Sequence, residues 1–251
     1  MSDGSNSRGL QILLGTTDYD MTEEEQPDRT VRRRPEAILV TGGNHTPRAR
    51  RMLENAGIPV IETWDLPENP IDHVIGFSNA AAVRGMVDHL VARGLTRIAV
   101  IGGDTSRDTR GADRRAGFVA AMQAHGLDAS RLIAAGPPPI SMREGAEAMA
   151  RLLDALPDTE AVICVSDLSA FGALTECQRR GVPVPGRVSI AGFGDYEIAG
   201  ICVPPLTTIN PHPRDIGSRA VALIGDLLDG RQTGPARVII QPDLILRPSS
   251  L

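Results

Sequence analysis

Short apolar runs ending in small or polar residues alternate along the chain with segments of helical period. Ala37–Val40 runs into Thr41-Gly42-Gly43, and Ile98–Ile101 into Gly102-Gly103-Asp104. Val162–Val165 runs into Ser166-Asp167, and Val188–Ala191 into Gly192-Phe193-Gly194-Asp195. Continuous runs of this kind suit parallel strands covered on both faces. Helix punctuation fills the spaces between them. Thr46 precedes Pro47 at a first helical position, with Ala49, Leu53 and Ala56 on one face and Gly57 as the stop. Asn79 can cap a helix whose Val83, Val87, Leu90 and Val91 share a face before Gly94. Ser141 and Glu144 have capping-box spacing ahead of Ala148, Leu152 and Leu153. Asp167 can cap a helix running to Arg180, and Arg214–Asp229 reads as another, ending at Gly230.

This alternation predicts an α/β fold with doubly wound parallel sheets. Ligands of such sheets sit off the carboxyl ends of the strands, where the Gly, Ser, Asn and Asp residues cluster in this chain. The proline-rich stretches Gly136–Pro139 and Val203–Pro205, with Pro211 and Pro213, read as loops or crossovers.

Composition narrows the chemistry. The 251 residues carry 26 basic groups, every one an arginine, against 31 acidic groups, a net charge of −5. Without lysine there is no Walker A lysine and no Schiff base. An acidic balance and 3% aromatics argue against gripping a phosphate backbone or stacking on single strands. Cys164, Cys177 and Cys202 are scattered, with no His partner at metal spacing, and read as buried reduced thiols. There is no HExxH and no GxSxG, so neither a metal site nor a catalytic set is expected, and no cofactor is implied. No apolar run is long enough to span a bilayer, and Met1–Arg8 does not read as a signal peptide, which points to the cytoplasm.

Several candidates have an ordinary alternative. Gly192-x-Gly194 lacks the third glycine of a dinucleotide fingerprint, and turn geometry explains it better. Asn79 and Asp167 are first of all helix caps, although a cap can also accept a ligand's hydrogen bonds. Arg107, Arg110, Arg114 and Arg115 form the densest basic group mid-chain, read equally as a solvated helix start or a ligand site. Arg32–Arg34 fits a helix C-terminus.

Taken in order, these segments resemble the effector-binding core of the lactose-repressor/galactose-repressor family of bacterial regulators. The resemblance is strongest over Ala161–Ile209, where the family's sequence of motifs follows: strand, polar-Asp, Ala-x-Gly-Ala helix, Val-Ser strand, Gly-Phe turn and Pro-Leu-Thr-Thr crossover. HLVARGLTRIAVIGG and RRAGFVAAMQAHGL match the opening of its second lobe. ILVTGGNHTPRAR, ETWDLPENPIDHVIGFSN and FGALTECQRRG look most like its gluconate-utilisation repressors. The resemblance implies two α/β lobes joined by three crossovers, with effector in the cleft, as in periplasmic sugar-binding proteins. The first lobe would span 9–92 plus 210–232, the second 95–208 plus 238–246. Family members begin with a helix-turn-helix headpiece, a hinge helix, a strand and a helix. None precedes Gly9–Gly15 here, so the first sheet is expected to lack a central strand.

The resemblance also implies the effector contacts: Ser78 and Asn79, Arg107 and Thr109, Arg114, and Ser166 and Asp167. At the Gly-Phe-Asp turn, Gly194 replaces the family's sugar-binding aspartate and Asp195 follows it. Losing acceptor charges at Ser78 and Gly194 while keeping Arg114 shifts the expected effector from a neutral sugar to a sugar acid such as gluconate, free or phosphorylated. In that pose Arg114 holds the carboxylate, and Asn79, Ser166 and Asp167 take hydroxyls. The expected assembly is a homodimer that reaches operator DNA only through a headpiece this chain does not carry. The alternatives are a solute-binding protein of a sugar transporter, disfavoured by the lack of a signal peptide, and an α/β enzyme, disfavoured by the lack of catalytic residues.

Overall fold

A computed structural model describes residues 11–20, 22–25, 34–103 and 106–251. In chain order the elements begin with β1 (Ile38–Thr41), α1 (Pro47–Glu54), β2 (Val60–Thr63), β3 (His73–Gly76) and α2 (Asn79–Ala92). There follow β4 (Ile98–Gly102), α3 (Thr109–Ala124), β5 (Leu132–Ala134), α4 (Met142–Ala155), β6 (Ala161–Cys164), α5 (Asp167–Arg179) and β7 (Ser189–Ala191). The last are α6 (Glu197–Ile201), β8 (Thr208–Asn210), α7 (Pro213–Leu228), β9 (Arg237–Ile239) and β10 (Asp243–Ile245). Single 3-10 turns cover Glu23–Glu25 and Pro248–Ser250.

The chain divides into two compact units, Met1–Ser78 with His212–Gln241, and Asn79–Pro211 with Pro242–Leu251. In the first, parallel strands run in the order β1-β2-β3-β9, paired Val40 to Glu62, Glu62 to Val74 and Ile75 to Val238. Helix α1 starts where the sequence predicts it. The Thr46 hydroxyl accepts the Ala49 N–H at 3.1 Å, Pro47 opens the helix, and Leu53 is buried against Ile38, Val40 and Val60. Among the described residues β1 is an edge strand, the β1-β2-β3 ladder is unbroken, and Gln11–Asp20 forms no strand.

The second unit holds the parallel sheet β5-β4-β6-β7 and an antiparallel pair β8-β10, which a bridge from Ala191 to Thr207 continues from β7. Helices α2 and α3 pack on each other, and so do α4 and α5. The capping box predicted at Ser141 and Glu144 forms in full. The core gathers Ile101, Met149, Leu152, Val162, Leu174 and Ile190.

Three sequence expectations are corrected. Asn79–Ala92, placed in the first lobe, joins the second unit because it packs along α3. The strand expected over 238–246 is two strands in different units: β9 pairs with β3, β10 with β8, and Pro242, which has no N–H for a ladder, divides them. The cap of α5 is Ser166, whose hydroxyl accepts the Ser169 N–H at 3.2 Å, and Asp167 is the first helical residue. The helix C-terminus read at Arg32–Arg34 falls outside the described residues with Arg32 and Arg33, as do Gly9 and Asp104.

Candidate functional site

Arg114 joins three elements of the second unit. It lies on α3, whose start is capped by Asp108 accepting the Gly111 N–H at 2.9 Å. Its Nε donates to Asn79 Oδ1 at 2.8 Å, and Nη1 donates to the Val165 carbonyl, just past β6, at 2.9 Å. The guanidinium carbon stands 3.6 Å over the centre of the Phe193 ring, past β7. A cation stacked on an aromatic ring and tied by two directional bonds is pre-oriented rather than free to swing. It faces a pocket that Gly102, Gly103, Gly111, Val165 and Phe193 also line. The pocket lies at the carboxyl ends of the strands, where ligands of such sheets sit. Asn79 is buried and opens α2, and its amide oxygen accepts from Arg114.

The two aspartates of this region turn inward. Asp167 is fully buried: Oδ1 accepts from the Thr208 hydroxyl at 2.6 Å and Oδ2 from the Tyr196 N–H at 2.7 Å. Burial raises its pKa above the ordinary carboxylate value, and the two hydrogen bonds only partly oppose that. Asp195 Oδ1 accepts from Arg247 Nη2 at 2.6 Å and Oδ2 from Asn210 Nδ2 at 3.0 Å. Gly194 between them has φ of +128°, and a Cβ there would lie 2.8 Å from the Tyr196 ring. An aspartate at this position would be strained by the backbone and would have to displace the Tyr196 ring.

The structure thus brings Asn79 and Arg114 together and places Ser166, Asp167, Gly194 and Asp195 along the adjacent strand ends. Ser166 is spent on its helix cap. Each oxygen of Asp167 already accepts one internal hydrogen bond. Ser78 is exposed and closes the first unit, Arg107 is exposed ahead of α3, and Thr109 is the first residue of that helix.

Sequence reasoning missed a buried ionic cluster in the first unit. His45, 2% exposed at its side chain, has Nδ1 at 2.9 Å from Glu24 and Nε2 at 3.1 Å from Glu62, itself wholly buried. The other oxygen of Glu62 accepts the Ile71 N–H at 2.7 Å. Burial lowers the imidazole pKa, but the hydrogen bonds and charges of the two glutamates outweigh it and raise it to about 9. Two acceptors on two ring nitrogens require the imidazolium. The signal was present in the sequence: Glu62 stands mid-strand in the apolar run Val60–Thr63, where an acid demands a partner.

Among the described residues no group of three or more His, Cys, Asp or Glu is arranged to hold a metal ion, and no helix is long and apolar enough to cross a membrane. Burial raises the thiol pKa of Cys164 and of Cys177, the latter to about 12, so neither is a reactive thiolate.

Comparison with known proteins accords with this architecture. Residues 87–250 match the periplasmic binding protein-like domain. The HTH-type transcriptional regulator GntR of Pseudomonas aeruginosa is 34% identical over 97% of the chain and 71% of its own length. A LacI family transcriptional regulator from Silicibacter pomeroyi has a solved structure 40% identical to the chain. It superposes with a TM-score of 0.92 over 98% of this chain and 90% of its own. The structure of the transcription regulator GntR from Chromobacterium violaceum is 35% identical, with a TM-score of 0.89 over 99% and 91%.

Proposed function

The chain belongs to the LacI family of transcriptional regulators as part of its effector-binding core, and on that premise we propose that it senses a sugar acid through Arg114. The relatives are regulators and not enzymes, and their family couples a small-molecule effector to DNA binding, typically as dimers. The finer reading concerns the ligand. One observation carries it: Arg114 is held at the strand ends over Phe193, while the nearby carboxylates of Asp167 and Asp195 are both turned into internal donors.

A guanidinium pairs with a carboxylate through parallel charge-assisted bonds, which neither a hydroxyl nor an aldehyde can match. Neutral sugars are best held by acceptor charges that take hydroxyl protons, and the inward-turned aspartates do not supply them. The amide of Asn79 and the open strand ends at Gly102 and Gly103 suit the hydroxylated carbons. We further propose a cytoplasmic homodimer that represses carbohydrate or sugar-acid genes through a DNA-binding headpiece, its two-fold matching a two-fold operator.

Calorimetry of the purified chain with gluconate, a phosphorylated aldonic acid and glucose tests the ligand reading. Binding of an acid, with glucose at least about tenfold weaker, is expected. Equal affinity for gluconate and glucose, or a preference for glucose, overturns it.

A further inference from the structure

Asp195 carries an ion pair on the turn that holds Phe193 and Gly194, and its partner comes from 52 positions along the chain. Arg247 is itself built in. Its Nη1 donates to the Leu206 carbonyl at 3.0 Å, and its backbone N–H donates to the Thr207 hydroxyl at 2.9 Å. The serines that follow fix the segment: Ser249 is wholly buried, its hydroxyl donating to the Ile190 carbonyl at 2.6 Å, and buried Ser250 meets the Thr207 hydroxyl at 2.6 Å. The pair is only 22% and 21% exposed on its two sides, so water screens it weakly. Asp195 has φ of +53°, in the left-handed region that a non-glycine residue holds only when its surroundings dictate it.

We propose that Arg247 is a specificity-determining residue: by capturing Asp195 it removes a negative charge from the effector turn and so admits an anionic effector. This inference rests on the sugar-acid reading and assigns that preference a physical source outside the ligand's own contacts. Phe193, on which Arg114 stacks, lies two residues before Asp195 on this turn. Released from Arg247, Asp195 carries an uncompensated carboxylate two residues along the turn from the ring on which Arg114 stacks. Like charge there repels an acid and offers an acceptor to a neutral polyol, so a residue remote from the ligand sets its charge class. Asn210, which also donates to Asp195 at 3.0 Å, orients the carboxylate but carries no charge to cancel it.

A double-mutant cycle tests this, using gluconate and glucose as probes and calorimetry as the readout. Arg247→Met is expected to weaken gluconate binding about tenfold and to leave glucose binding unchanged or stronger. Asp195→Asn alone should stay within about twofold of the parent for gluconate, and the double variant should regain most of what Arg247→Met loses. A double variant as weak as Arg247→Met shows that Arg247 only props the C-terminal segment, and it overturns the inference while leaving the sugar-acid reading intact. If Arg247→Met fails to fold, Arg247→Lys decides: retained acid preference supports charge capture, and a folded Lys variant without that preference overturns it. A parent chain that itself shows no acid preference overturns the sugar-acid reading and this inference together, a pattern distinct from the failed rescue.

Discussion

Arg114 has two jobs in one side chain, and substitutions can separate them. It stitches Asn79 to the Val165 carbonyl, and it presents a stacked guanidinium to the pocket. Arg114→Ala is expected to weaken sugar-acid binding by about 1.5–3 kcal/mol, the range for hydrogen bonds to a charged group. Arg114→Lys should recover little, because an ammonium cannot bridge Asn79 and Val165 while pairing bidentately. Calorimetry on both variants checks this, and full recovery by lysine would show that charge alone suffices. At Asp167, Asn substitution sets an amide NH2 either against the Tyr196 N–H, donor to donor, or against the Thr208 hydroxyl, which must turn round to accept. Asp167→Asn should therefore cost about 1–3 kcal/mol in urea denaturation. The position of Arg114 was legible in its motif, Arg-Arg-Ala-Gly-Phe. The inward turn of Asp167 and Asp195 was not, because their donors Thr208, Asn210 and Arg247 lie 41, 15 and 52 residues away.

Elements announce themselves when their signals are local. Thr46-Pro47, the Ser141–Glu144 box and the apolar runs of β1, β4, β6 and β7 all form within a residue or two of where the pattern puts them. Strands β2 and β3 carried weaker signals, since Glu62, Thr63 and His73 interrupt apolarity with side chains that find buried partners only in the fold. Helix partnerships were likewise hidden, because close approach depends on which glycine meets which backbone. Between α4 and α5, a Cβ on Gly172 would stand 1.9 Å from the Met142 carbonyl oxygen, and one on Gly145 would stand 2.3 Å from that of Ser169. Gly172→Ala must push these helices apart and is expected to destabilise the chain by about 1–3 kcal/mol. Exposed Gly85 within α2 has nothing within 4 Å of its absent Cβ. Gly85→Ala should thus stabilise by about 0.5–1 kcal/mol, since alanine loses less backbone entropy in a helix. Opposite signs in two thermal melts are the expected result, and two destabilised variants would contradict it.

At the scale of the whole molecule, pH acts differently on the two units. In the second, the raised pKa of Asp167 makes the folded state hold its proton longer than the unfolded chain does. Its ionisation therefore costs stability as pH rises from the ordinary carboxylate value through the raised one. In the first unit, His45 is raised from 6.5 to about 9, so its contribution is whole below pH 6.5 and is lost as pH climbs through 9. A shift of that size corresponds to stabilisation on the order of 3 kcal/mol, retained because Glu24 and Glu62 are kept from water by the same burial. The chain's single tryptophan, Trp64, lies in the first unit, one residue beyond β2 and with its ring centre 6.5 Å from that of Phe77. Its fluorescence is a probe placed in the first unit. The urea midpoint read from Trp64 should fall steadily between pH 6.5 and 9, the window in which the imidazolium loses its proton. His45→Gln should start from a lower midpoint, because one buried partner is removed and the glutamates are left unpaired, and should then stay flat across that window. A wild-type midpoint that does not move, or a glutamine variant with the same slope, would show that the ion cluster does not hold the first unit together.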